Sequence, residues 1–138
     1  MQLSETQKEQ LLAVERACFG DDWTAEMLFE ETENPLSVLA VEESGIISGF
    51  ALGRVAADEG ELFQIGVLPQ FRRQGIAERL LTALLEKMQE RGAVKCFLEV
   101  RSRNAPAAAL YEKCGFERIS VRKRYYNDDD ALIYCKNI

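Results

Sequence analysis

The chain has 138 residues, 47% hydrophobic and 29% charged, with a net charge of −6. That length suits a single domain, residues 1–138, able to bury a core without disulfides or metal. The acidic balance argues against a broad nucleic-acid-binding face; without an apolar run of bilayer length or a signal peptide after Met1, no membrane partner is expected and the cytoplasm is the expected compartment.

Residues 1–3 read as a short first strand. Ser4 with Gln7 forms a capping-box pattern, opening a helix whose Leu11, Val14 and Cys18 recur at helical spacing until Gly20. Thr24 is the expected N-cap of a second helix, ended by Asn34-Pro35. Trp23, just before that cap, either staples the start of the helix or lines a groove. Residues 36–42, 46–57 and 61–67 read as strands, with turns at 43–45 and 58–60 short enough for an antiparallel meander. A helix follows from Ile76, with Leu80, Leu81, Leu84, Leu85 and Met88 on one stripe and Gly92 beyond its end. Residues 94–100 form a strand whose position after that helix implies a β-α-β crossover onto a parallel neighbour. Asn104 caps a short helix with Pro106 in its first turn and Gly115 past its end. Residues 116–126 and 131–138 make a last strand pair. The class is α+β: a mixed, mostly antiparallel sheet flanked by helices.

Residues 62–77, LFQIGVLPQFRRQGIA, hold the strongest chemical signal. A strand, a basic glycine turn and a helix start follow one another there. Unpaired backbone N–H groups and the positive end of the macrodipole make such a turn a candidate cradle for phosphate or pyrophosphate. The alternative is an ordinary strand-to-helix turn on a solvated basic corner. The chain has no histidine, so a general base must be a carboxylate, tyrosine, lysine or water. Glu99, inside the apolar strand CFLEV, is one candidate, acting directly or through water on an amine; the other reading pairs it with Arg101 or Lys95 at a sheet edge. Tyr111 can protonate a leaving thiolate, or be a core-edge tyrosine with its hydroxyl on backbone. Tyr125 and Tyr126 either frame a groove or are simply strand residues. The aspartates at 128–130 either attract a basic peptide or form a solvated turn. Cys18, Cys96, Cys114 and Cys135 form no C-x-x-C pair and read as reduced, buried or half-buried thiols, so no metal is expected.

Arg72-x-x-Gly75-x-Ala77 resembles the acetyl-CoA pyrophosphate motif of the GNAT superfamily of N-acetyltransferases. The block from Asn104 through Tyr111 to Gly115-Phe116 resembles that superfamily's second motif, in the expected order. Leu98-Glu99-Val100-Arg101 and the run from Arg122 to Tyr126 are similar to the bacterial ribosomal-protein-alanine N-acetyltransferases within it. The resemblance implies the GNAT fold, acetyl-CoA as co-substrate and a protein N-terminus as acceptor, in that branch the alanine terminus of ribosomal protein bS18. A small amine, a lysine side chain or a non-catalytic acetyl-CoA-binding role are the alternatives. It implies that Ile65, Gly66 and Val67 flank the acetyl group and pantetheine arm. Arg73, Gln74, Gly75, Ile76, Ala77 and Glu78 would hold the pyrophosphate through backbone, with Asn104 further along the cofactor. Glu99 would be the general base and Tyr111 the general acid of a direct transfer in a ternary complex. Gly66 replaces an alanine common in the family, and the segment after Tyr126 is short.

Overall fold

A computed structural model describes residues 2–125 and 128–138. Helices α1 (Glu5–Phe19) and α2 (Ala25–Glu33) precede three strands, β1 (Ser37–Ser44), β2 (Ile46–Ala56) and β3 (Glu59–Val67). A single 3-10 turn, Pro69–Phe71, leads to α3 (Ile76–Glu90), β4 (Lys95–Arg101), α4 (Ala105–Lys113), β5 (Glu117–Arg122) and β6 (Ala131–Asn137). The caps are where local chemistry puts them. Ser4 and Gln7 complete a reciprocal capping box, Thr24 accepts from the Met27 N–H, and Asn104 accepts from the Ala107 N–H.

The strands form one six-stranded sheet in the order β1-β2-β3-β4-β6-β5. The first three make an antiparallel meander; β4–β6 and β5–β6 are also antiparallel. Only β3–β4 is parallel, and its ladder is short: Glu59, Gly60 and Glu61 face Lys95, Cys96 and Phe97. From Leu62 onward β3 pairs with β2 alone, so the two central strands part and open a cleft.

On one face, α1 and α2 cover β1 and β2 through Leu11, Val14, Leu28, Leu39, Ile47, Phe50 and Leu52. On the other, the apolar stripe of α3 packs with residues from both halves of the sheet, including Val55, Leu62, Cys96, Leu98 and Tyr134. Strand β2 is buried almost throughout because both of its faces are covered. Phe63 is the extra residue of a bulge, since Leu52 pairs with Gln64 and Gly53 with Leu62. Gly53 is required there: a Cβ would lie 2.3 Å from the Glu61 carbonyl oxygen.

Four sequence expectations are corrected. Residues 2–4 carry no regular structure, so the first strand is absent there, and Met1 lies outside the described residues. The turn after β2 is Ala57-Asp58, with Ala57 left-handed at φ 55°, which lets β3 begin at Glu59 instead of 61. The expected strand 116–126 ends at Arg122, because Arg124 turns left-handed at φ 52° and its N–H is held by Asp130 at 2.8 Å; Tyr126 lies outside the described residues. The aspartates are a clasp. Asp128 pairs with Arg101 and Arg103, while buried Asp129 accepts from the Ser102 hydroxyl and the Arg103 N–H, tying β6 to the loop before Asn104.

Candidate active site

The parting of β3 from β4 creates a cleft of about 690 Å³ whose walls come from the end of α1, β3, the turn into α3, β4 and α4. That volume suits a small-molecule or cofactor site. Every sequence-predicted site residue lines it except Gln74, which sits in the turn with its carbonyl accepting from Arg79 at 3.0 Å.

The turn is built to leave donors free. Arg73 and Gly75 are both left-handed, at φ 65° and 77°, and Gly75 is the N-cap of α3 without a side chain to cap it. The first backbone bond back into the turn is from the Arg79 N–H to the Gly75 carbonyl, at 3.1 Å. The N–H groups of Ile76, Ala77 and Glu78 thus stand at a helix N-terminus beside the cleft, a geometry that binds anions. The one acidic side chain of that first turn, Glu78, is drawn off to Lys113 at 3.1 Å. Asn104 uses its side-chain oxygen as the cap of α4, which leaves its NH₂ to the cleft.

The strand side is fixed from α1. The Val67 carbonyl accepts from Arg72 Nε at 3.0 Å and from Cys18 Sγ at 3.3 Å. Cys18 and Phe19 pack where a side chain at Gly66 would project: a Cβ there would meet Cys18 Sγ at 2.9 Å. Cys18, Phe19, Phe71 and Arg72 are wall residues outside the set of predicted site residues; Arg72 heads the motif-like run to Ala77, Phe71 lies in the same stretch, and the helical stripe runs through Cys18.

Glu99 and Tyr111 stand in the same cleft on different elements. Glu99 is held by Arg122 at 3.1 Å, not by Arg101 or Lys95. Strand order explains the difference: β6 brings β5, and with it Arg122, to the face of β4 where Glu99 emerges. Tyr111 is 7% exposed, its ring packed against Phe116 and Tyr134 at centroid distances of 5.9 and 6.4 Å. Its hydroxyl makes no hydrogen bond among the described residues, which removes the backbone-bonded reading. Burial, with a smaller push from Cys96, raises the phenol to about 12, so it stays protonated at neutral pH. Protonated, its hydroxyl can donate to negative charge that develops in the cleft.

The cleft is therefore a site that combines an anion-binding helix N-terminus with a carboxylate and a protonated phenol. The sequence model of the Acetyltransferase (GNAT) family matches residues 7–116. The chain belongs to this family. Among its GNAT relatives, the [ribosomal protein bS18]-alanine N-acetyltransferase of Salmonella typhimurium is 33% identical over 135 residues, covering 95% of this chain and 91% of that protein. The Escherichia coli K12 enzyme of the same name is 41% identical over 89 residues, an alignment that spans 64% of this chain and 60% of that protein. The crystal structure of the ribosomal-protein-S18-alanine N-acetyltransferase from Escherichia coli superposes with a TM-score of 0.87 at 31% identity, covering 100% of this chain and 92% of that one. The mixed sheet with one parallel pair is thus the GNAT fold. Among the described residues no group of histidine, cysteine, aspartate or glutamate could hold a metal, and no helix is long and apolar enough to cross a membrane.

Proposed function

We propose that this GNAT chain, acting as one domain in the cytoplasm, transfers an acetyl group from acetyl-CoA to the N-terminal α-amine of a protein, with the alanine terminus of ribosomal protein bS18 as its substrate. The observation that carries the reading is the place of Glu99. It lines the cofactor cleft and also a second cavity that shares Phe63 with it, so one carboxylate borders both spaces. The donor set fits acetyl-CoA: free N–H groups at 76–78 suit a pyrophosphate, and an apolar channel past Ile65, Ala107 and Leu110 suits a pantetheine arm.

Acetyl-CoA, when bound, supplies a thioester already activated for acyl transfer. Glu99 takes the proton that the incoming amine must lose before it can attack. The backbone N–H groups of Val67 and Ile65, on the side of β3 turned away from β2 and without a β4 partner beyond Glu61, stabilise negative charge on the acetyl oxygen, while the Gly66 N–H faces β2. Tyr111 donates its hydrogen bond to the departing sulfur. No acyl-enzyme is needed. Cys96 is fully buried, with its thiol pushed up to about 12 by burial, and has no part in the chemistry.

The test is acetyl transfer to peptides with alanine and other N-termini, beside a free lysine and a polyamine. Alanine-terminal peptides should be acetylated at the α-amine. Glu99→Gln should lower turnover about 10²-fold or more, and Tyr111→Phe should lower kcat with little change in acetyl-CoA affinity. Transfer to lysine side chains or the polyamine alone would move this chain to another branch of the family.

A further inference from the structure

The second cavity, of about 530 Å³, lies where α1 and α2 no longer cover the sheet, and Phe63 and Glu99 belong to its wall and to that of the cofactor cleft alike. Its apolar floor includes Phe97 and Ile133, both half-buried. Its charges are unequally satisfied. Arg54 is committed to Glu31 by two hydrogen bonds, at 2.7 and 2.9 Å, while its guanidinium lies 5.8 Å from the centre of the Phe63 ring. Arg122 is committed to Glu99. Lys95, outside the cavity wall, stands over the Phe97 ring at 5.8 Å. The Glu61 carboxylate, by contrast, makes no hydrogen bond or ion pair among the described residues, although it lines the cavity.

Glu61 and Glu99 sit on the same face of the parallel pair. Glu61 is opposite Phe97 in the register, and Glu99 follows Phe97 by two residues. Partial burial and the charge on Glu99, against the weaker pull of Arg54, raise the Glu61 carboxyl above its ordinary value. Glu59 lines the same cavity and likewise makes no ion pair among the described residues, so this end carries two carboxylates without a paired cation. An extended peptide advances about 3.3 Å per residue. With its amine at Glu99, the side chain able to reach Glu61 belongs to its second or third residue.

Building on the proposed α-amine transfer, we infer that Glu61 is a specificity-determining residue that selects N-termini with arginine or lysine at the second or third position. The apolar floor and Phe63 accommodate the aliphatic stem of such a side chain, while the carboxylate receives its charge. The residue touches the peptide at a distance from the bond being made, so its effect belongs in KM.

The experiment compares alanine-terminal peptides that differ only in carrying arginine, glutamine or glutamate at positions two and three, for the wild-type chain, Glu61→Gln and Glu61→Lys. Acetyl-CoA-induced thermal shifts report the folding of each variant. Wild type should favour the arginine over the glutamine peptide about three- to tenfold in kcat/KM, through KM, with the preference shrinking at high salt. Glu61→Gln should bring that ratio to about one, and Glu61→Lys should turn it toward the glutamate peptide. A ratio unchanged in Glu61→Gln overturns the inference while leaving α-amine transfer intact. No α-amine acetylation of any peptide, with acetyl-CoA still bound, overturns both.

Discussion

Glu15 on α1 is fully buried in a helix stripe that otherwise faces the core, and the catalytic proposal makes no use of it. Gln64 on β3 donates to one of its oxygens at 3.0 Å, while the other oxygen and the Gln64 side-chain carbonyl have no hydrogen-bond partner. Burial raises the Glu15 carboxyl above its ordinary value, against the opposing effects of Gln64 and Arg16. The sign of the linkage follows. With a folded-state pKa above the unfolded value of 4.5, the native state holds the extra proton, so stability falls as pH rises from 4.5 through the folded-state pKa. Glu15→Gln removes the charge and brings an NH₂ group that can meet the orphaned Gln64 oxygen. It should therefore flatten this part of the pH profile and stabilise the fold at pH 7 by about 1 kcal/mol. Urea unfolding at pH 4, 5.5 and 7 measures both; an unchanged slope with lower stability at pH 7 would show that Glu15 is buried as a satisfied anion.

Between elements, the closest fit at the site is α1 against β3. Gly66 accepts the side chains of Cys18 and Phe19 where its own Cβ would stand, with Phe19 Cε2 at 3.1 Å. Gly66→Ala should cost about 1–3 kcal/mol through overpacking. Adding Cys18→Ala should recover much of that loss, because the methyl then replaces the sulfur; a double-mutant cycle by thermal or urea unfolding would show the coupling, and strict additivity would contradict it. Such contacts also mark what the sequence could and could not disclose. The caps at Ser4, Thr24 and Asn104 and the glycine turn at Gly75 depend on neighbours within four residues, so their chemistry is readable in the order of the letters. The Glu99–Arg122 pair, the Glu15–Gln64 pair and the seat of Cys18 beneath Gly66 depend on sheet order and helix docking, where no local spacing applies. Phe63 is the middle case. Its strand is legible, but the bulge that lets it wall two cavities follows from a contact between Gly53 and the Glu61 backbone.

At the scale of the whole molecule, the sheet is two halves joined along a seam. β1–β3 and β4–β6–β5 share three residue pairs of parallel ladder, with the rest of the junction supplied by the α3 face of the core. The cleft lies along that seam, so a molecule bound there contacts β3 and the start of α3 on one side and β4 and α4 on the other. Acetyl-CoA should therefore couple the halves and stabilise the folded chain as a whole. At 100 times its Kd the linkage amounts to about 2.7 kcal/mol, provided the unfolded chain does not bind it. For a domain of 138 residues this corresponds to a rise in Tm of roughly 9 °C. The rise should grow with the logarithm of ligand concentration, and amide exchange should slow on both sides of the opening, in residues 62–67 and 98–111. No shift at millimolar acetyl-CoA would remove the cofactor from the cleft. A shift with protection confined to residues 62–78 would mean that the anion cradle binds while β4 and α4 stay out of contact, leaving Tyr111 without its proposed partner.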